Sequence, residues 1–89
     1  MKSLFVIVHE GTASYKNPKV HREIKRIKRC EEFRVIDGDP QKIPEDLPSA
    51  NEYEILVCGA RTDVCIPAQI EALEKAGYRV RIYMPASFP

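Results

Sequence analysis

At 89 residues, 44% hydrophobic and 30% charged, the sequence has the composition of one globular domain spanning 1–89, which excludes a disordered or fibrous chain. A chain this short buries roughly 60 to 65% of its unfolded surface, so its core is modest and a partner would add to it. The net charge of +1 excludes a uniformly basic or acidic protein, but it conceals a segregation.

Residues 16–29 hold Lys16, Lys19, Arg22, Lys25, Arg26, Lys28 and Arg29 against Glu23 alone. Residues 31–54 hold Glu31, Glu32, Asp37, Asp39, Glu45, Asp46, Glu52 and Glu54 against Arg34 and Lys42. Such segments can pair within the fold, pair between two chains, or present a basic face to an anion. The ordinary reading of the basic stretch is a solvated helix face. Tyr15 is the only aromatic residue near it, so nucleic acid is not an expected partner.

No apolar run approaches the roughly 20 residues that cross a bilayer, so no membrane partner is expected. The apolar stretch after Lys2 is too short for a secretory leader, which points to the cytoplasm. Cys30, Cys58 and Cys65 are too few and too irregularly spaced for a disulfide framework or a zinc ribbon. His9 and His21 fall on different elements, and neither a metal nor another cofactor is expected.

Leu4 to Val8 is a continuous apolar run, the pattern of a strand buried on both faces. Residues 9–18 carry turn chemistry in Gly11, Ser14, Asn17 and Pro18. Val20, Ile24 and Ile27 recur at helical spacing over 19–30. A short strand follows at 33–36, then a crossover over 40–52 with three prolines and little periodicity. Residues 54–58 read as a third buried strand. A helix over 63–76 follows, with Ile66, Ile70, Leu73 and Ala76 as its buried stripe and Gly77 at its C′ position. The last strand, 79–83, alternates as an edge strand does.

Strands alternating with helices imply a parallel α/β sheet with right-handed crossovers, Rossmann-like, in the order 2-1-3-4. In that order the first and third strands are neighbours whose connections leave in opposite directions, which is where such sheets place ligands. His9 and Glu10 are thereby brought beside residues 59–65.

The segment VCGARTDVCI, residues 57–66, is the strongest local signal. Gly59 permits a sharp turn, Thr62 or Asp63 can cap the helix, and Cys65 falls in its first turn. Unpaired N–H groups and the positive end of the helix dipole favour a thiolate there, and the same N–H groups can hold an oxyanion. Pro67 is tolerated only near the helix start, which agrees with this placement. The alternative for Cys65 is a small buried hydrophobe. Cys58 reads as core, and Cys30 as structural.

This segment resembles the nucleophile motif of the isochorismatase-like cysteine hydrolases, the nicotinamidase-related amidases among them. The continuation QIEALEKAGYRVRIY, 69–83, is similar to the family's as well. The resemblance covers about residues 53–83. It implies an isochorismatase-like fold, Cys65 as nucleophile, a cis peptide between Ala60 and Arg61, and an oxyanion hole from the N–H groups of Arg61 and Cys65. Ala60, Arg61 and Thr62 would then line the substrate site.

The pattern departs from the family elsewhere. Where the family ends its first strand in a general-base aspartate, this chain reads Val-Ile-Val-His-Glu-Gly, leaving His9 or Glu10 in that neighbourhood. Lys42 is the only lysine between the second and third strands, in a context unlike that of the family's lysine. The family's metal-binding Asp and His pair is missing.

Two functions are therefore carried forward. One is hydrolysis of a small amide, ester or imide by the Cys65 thiolate, with His9 or Glu10 as proton carrier. The other is a non-catalytic domain of the same fold, serving assembly or small-anion binding through Arg61 and the helix start. A homodimer is also expected, because the last strand looks like an open edge followed by Met84, Pro85, Ala86, Phe88 and Pro89, with nothing later to cover them. Two-fold pairing would bury that surface and let the basic helix approach the acidic segment of the other subunit.

Overall fold

The computed structural model describes residues 1–11 and 17–88. Lys16 of the basic stretch, Tyr15 beside it, the rest of the middle of the 9–18 loop and Pro89 lie outside the described residues. Four strands, β1 (Lys2–Val8), β2 (Phe33–Ile36), β3 (Tyr53–Ala60) and β4 (Arg79–Phe88), form one wholly parallel sheet in the order β2-β1-β3-β4. Helices α1 (Pro18–Cys30) and α2 (Cys65–Lys75) provide the crossovers. This is the α/β architecture and strand order that the sequence implies.

The apolar run of β1 has a simple cause in this arrangement. Leu4, Phe5, Val6, Ile7 and Val8 are all buried, because β1 is flanked by strands on both sides and covered on both faces. Alternation along the strands sorts the core into two halves. On one face Val20, Ile24 and Ile27 of α1 pack with Phe5, Ile7, Cys58, Ala60 and Ala86. On the other, Ile66 and Leu73 of α2 pack with Val6, Val8, Ile36, Ile55 and Val57.

Helix ends show how local chemistry sets the boundaries. Asn17 caps α1, its side chain accepting from the N–H groups of Lys19 (3.0 Å) and Val20 (3.3 Å), and Pro18 takes the first helical position. The two residues expected to break structure therefore start the helix. At α2 the expected capping by Thr62 or Asp63 is corrected. The helix starts at Cys65 after Val64, with no side-chain cap. Pro67 occupies the third helical position and has no N–H, so one of the donors a capping side chain would serve is missing. The approach is closed instead by the Arg61 carbonyl, which accepts from Val64 (3.3 Å) and Ile66 (3.0 Å). At the other end Tyr78 donates to Leu73 and Gly77 to Glu74, a Schellman motif with Gly77 at φ 97°.

Two further expectations are corrected. The buried stripe of α2 is Ile66, Gln69 and Leu73; Ile70 is half-buried and Ala76 exposed. Gln69 is tolerated inside because its Nε2 donates to the carbonyls of Pro40 (2.7 Å) and Lys42 (2.9 Å), pinning the irregular crossover over α2. The last strand does not stop at residue 83. It bulges, advancing five residues (Ile82 to Ser87) while β3 advances two (Val57 to Gly59), and then pairs again, Gly59 with Ser87 and Ala60 with Phe88. The tail expected to lie uncovered is thus covered by its own sheet: Ala86 and Ser87 are buried and Met84 stays exposed.

A polar brace holds α1 to β4. Glu23 Oε1 accepts from Arg26 (Nε 2.9 Å, Nη2 2.6 Å) and from the Tyr83 hydroxyl (2.7 Å). The Arg26 hydrogen bonds, then that of Tyr83, hold the Glu23 carboxyl below its ordinary range, and the carboxylate in turn raises Tyr83. The lowered Glu23 contributes stability that is present above its unfolded value and lost as pH falls through the folded one. The raised Tyr83 contributes below its unfolded value and loses its contribution as pH rises through the folded one. Tyr83→Phe should cost about 1 kcal/mol at neutral pH and flatten the acid limb of the stability profile. Urea titrations between about pH 3 and 7 check this, and an unchanged acid limb contradicts the brace.

Gly59 is the tightest point of the sheet. It sits at φ 106°, and a Cβ built on it would collide with the Val8 carbonyl oxygen and lie 2.8 Å from the Val8 nitrogen. Gly59→Ala should therefore cost more than about 2 kcal/mol, measured by urea unfolding. A loss under about 0.5 kcal/mol, the range of an ordinary surface substitution, would show that β1 and β3 can separate there.

Candidate functional site

The site is built where β1 and β3 end side by side. Val8 pairs with Gly59, so the chain leaving β1 (His9, Glu10) and the chain leaving β3 (Ala60, Arg61) start from neighbouring positions and then diverge. Ala60 is fully buried, and the peptide joining it to Arg61 is cis, the geometry that the resemblance implies. Arg61 is exposed, its Nε 3.5 Å from Asp63 Oδ1 in a solvated pair. Thr62 is half-buried, and its N–H donates to the Phe88 carbonyl at 3.3 Å. The extension of β4 therefore forms one flank of the site, which an 83-residue boundary would have left out.

Cys65 is the first residue of α2, half-buried, and packs against the core half that contains Val8 and Ile36. Among the described residues, the N–H groups of Arg61 and Cys65 donate in none of the turn or cap hydrogen bonds, which come from Thr62, Val64 and Ile66.

His9 and Glu10 go elsewhere. Glu10 turns to α1, where both carboxylate oxygens accept from Lys28 Nζ at 3.0 and 3.1 Å. Since α1 and Cys65 belong to opposite faces of the sheet, Glu10 is not brought to the thiol. His9 has a left-handed backbone (φ 50°), and its Nε2 lies 3.0 Å from the Gly38 carbonyl. A carbonyl oxygen can only accept, so Nε2 carries the proton of the neutral ring and Nδ1 is its basic nitrogen. No hydrogen bond joins His9 or Glu10 to Cys65 among the described residues. The Lys42 side chain is exposed and forms no hydrogen bond among the described residues, while its N–H donates to the Asp39 carbonyl (3.1 Å) and its carbonyl accepts from Gln69.

Gln69 is the polar group that reading the sequence passed over. It is fully buried, and its Oε1 has no partner among the described residues. The signal was present in the spacing Ile66-Gln69-Leu73, which fits a helical stripe as well as the one through Ile70.

Among the described residues no three His, Cys, Asp or Glu side chains gather as a metal centre requires, and no helix is long and apolar enough to cross a membrane. Set against models of known protein families, curated proteins and solved structures, the chain matches none of them.

The three thiols differ sharply in setting. Burial within β3 pushes the Cys58 thiol up to about 12, with the charges of Glu23 and Glu10 adding to the effect. Cys30 is exposed at the end of α1. Cys58 should stay unmodified by iodoacetamide in the folded protein and react only on unfolding, read by mass spectrometry of peptides after limiting alkylation. Labelling of Cys58 at the rate of Cys30 would mean that β3 opens readily in the native state.

Proposed function

We propose that the chain is an isochorismatase-like cysteine hydrolase acting on a small amide, ester or imide. The observation that carries this reading is Cys65 at the first position of α2, beside the end of β3, with its own N–H and that of Arg61 outside the turn hydrogen bonds. Sulfur attack on a carbonyl forms the C–S bond and moves the π electrons onto oxygen. N–H groups at a helix start suit that developing charge. Collapse expels the amine or alcohol, which takes up a proton, and water then releases the acid from the thioester. His9 is the favoured proton carrier, because its Nδ1 is the basic nitrogen while Lys28 occupies Glu10. A reducing, cytoplasmic setting suits a working thiol.

A second reading has its own support. The Lys28 pairing of Glu10 and the Gly38 contact of His9 leave Cys65 without a hydrogen-bonded base among the described residues, which favours a non-catalytic, anion-binding or assembly domain of the same fold. Activated esters and small amides separate the two. The hydrolase should show a burst of acylation on Cys65, lose turnover completely in Cys65→Ala, and fall by about 10²-fold or more in His9→Ala. Cys65 should also alkylate faster than the more exposed Cys30. No turnover together with slower labelling of Cys65 would reject the hydrolase and leave the second reading.

A further inference from the structure

The charge segregation of the sequence becomes a separation in space. On α1, Lys19, Arg22, Lys25 and Arg29 are exposed, and none has a carboxylate partner among the described residues. Their positions fall within an arc of about 120° on the helix, a single outward stripe. Arg26 is taken by Glu23 and Glu31, and Lys28 by Glu10, so the stripe consists of the cations of α1 that have no ion pair among the described residues.

Five carboxylates without ion pairs lie across the sheet. Asp37, Asp39, Glu45, Asp46 and Glu52 are exposed, and none forms an ion pair among the described residues. Arg34, three residues before Asp37, donates instead to the backbone carbonyls of Phe33 and Asp46, and the exposed Lys42 within the segment forms no ion pair among the described residues. The segment they occupy lies against α2, held by Gln69 and by the Tyr78 hydroxyl, which donates to the Pro48 carbonyl at 2.6 Å. The unpaired stripe of α1 is therefore on one side of the sheet and the acidic crossover, which carries Lys42 as its one cation after Asp37, is on the other, and the sheet keeps the chain from pairing these two patches itself.

We propose that the α1 stripe is a docking surface for the acidic crossover of a second copy of this chain. Because the two patches are on opposite faces, each copy presents one to each neighbour. The contact is heterologous, head to tail, and extends beyond two subunits rather than closing as a two-fold pair. Exposed ion pairs are individually weak and screened by salt, so association is reversible and confined to low ionic strength. This surface is independent of Cys65 and of any hydrolysis there.

Paired charge reversals give the test. One variant carries Arg22→Glu, Lys25→Glu and Arg29→Glu; the other carries Asp39→Lys, Glu45→Lys and Asp46→Lys. In sedimentation at low salt the wild-type mass should rise with concentration above 10.2 kDa and return to it near about 1 M salt, where screening acts within about 3 Å. Each variant alone should stay at the monomer mass, with a native circular dichroism spectrum. Mixed one to one, the two should associate again, because each reversed patch meets its opposite on the other variant. Recovery on mixing cannot come from a misfolded component. A wild type that stays monomeric at low salt overturns the proposal, as does a mixture that fails to associate. So does a stripe whose cations bind a polynucleotide while the protein stays monomeric.

Discussion

The backbone of β3 runs against that of β1 with no room for a side chain between Gly59 and Val8, and much of the fold follows from this contact. A residue with a Cβ would push the central strands apart where both faces of the sheet are already filled. With glycine there, β3 adopts a positive φ and changes direction immediately before Ala60 and Arg61. Beyond that change the neighbouring strand cannot continue in simple register. The bulge in β4 falls opposite the interval between Val57 and Gly59, taking up the difference before Ser87 and Phe88 pair again. One close approach thus sets the turn that leads to Cys65 and also brings the end of β4 back beside it.

Much of the architecture was legible because it rests on periodicity. The unbroken runs at 4–8 and 55–58 mark strands covered on both faces, and the stripe Val20, Ile24, Ile27 marks a helix with one apolar side. What was not legible depends on interactions between distant residues. Met84 and Pro85 break the alternation of β4, and only the partner strand shows that pairing resumes. A proline is tolerated there because an edge strand does not need every N–H. Gln69 reads as a surface residue until the carbonyls of Pro40 and Lys42 come within reach of its amide. Thr62 and Asp63 have the chemistry of helix caps, but the helix starts later, at Cys65, so the cap position falls to Val64, which has no side-chain acceptor.

The candidate site divides in the same way. That Cys65 would fall in the first turn of a helix after β3 was readable from strand, glycine and proline alone, although the start was expected two residues earlier. The destinations of His9 and Glu10 were not, because adjacency in sequence says little once a left-handed residue redirects the chain. His9 adopts that conformation, and the side chains on either side of the turn then meet different elements: Gly38 beyond β2 for one, Lys28 of α1 for the other. A basic helix alongside also draws a carboxylate just beyond β1, and Lys28 pairs with Glu10 at 3.0 Å.

The sheet that separates Glu10 from Cys65 also separates the cation stripe of α1 from the acidic crossover. The inner side of α1 is filled by Val20, Ile24 and Ile27, so its cations can only point outward, and the crossover is held against the other helix. The chain is therefore strongly dipolar while almost neutral, with a net charge of +1 and a sequence isoelectric point of about 7.7. In a protein of high net charge, repulsion between whole molecules would oppose contact between complementary patches. Near neutrality that opposition is slight, and the orientation of approach is set by the patches themselves. The association has a steep dependence on salt as its natural signature, because the attraction is between exposed groups that a Debye length of about 10 Å at 0.1 M ionic strength already begins to screen.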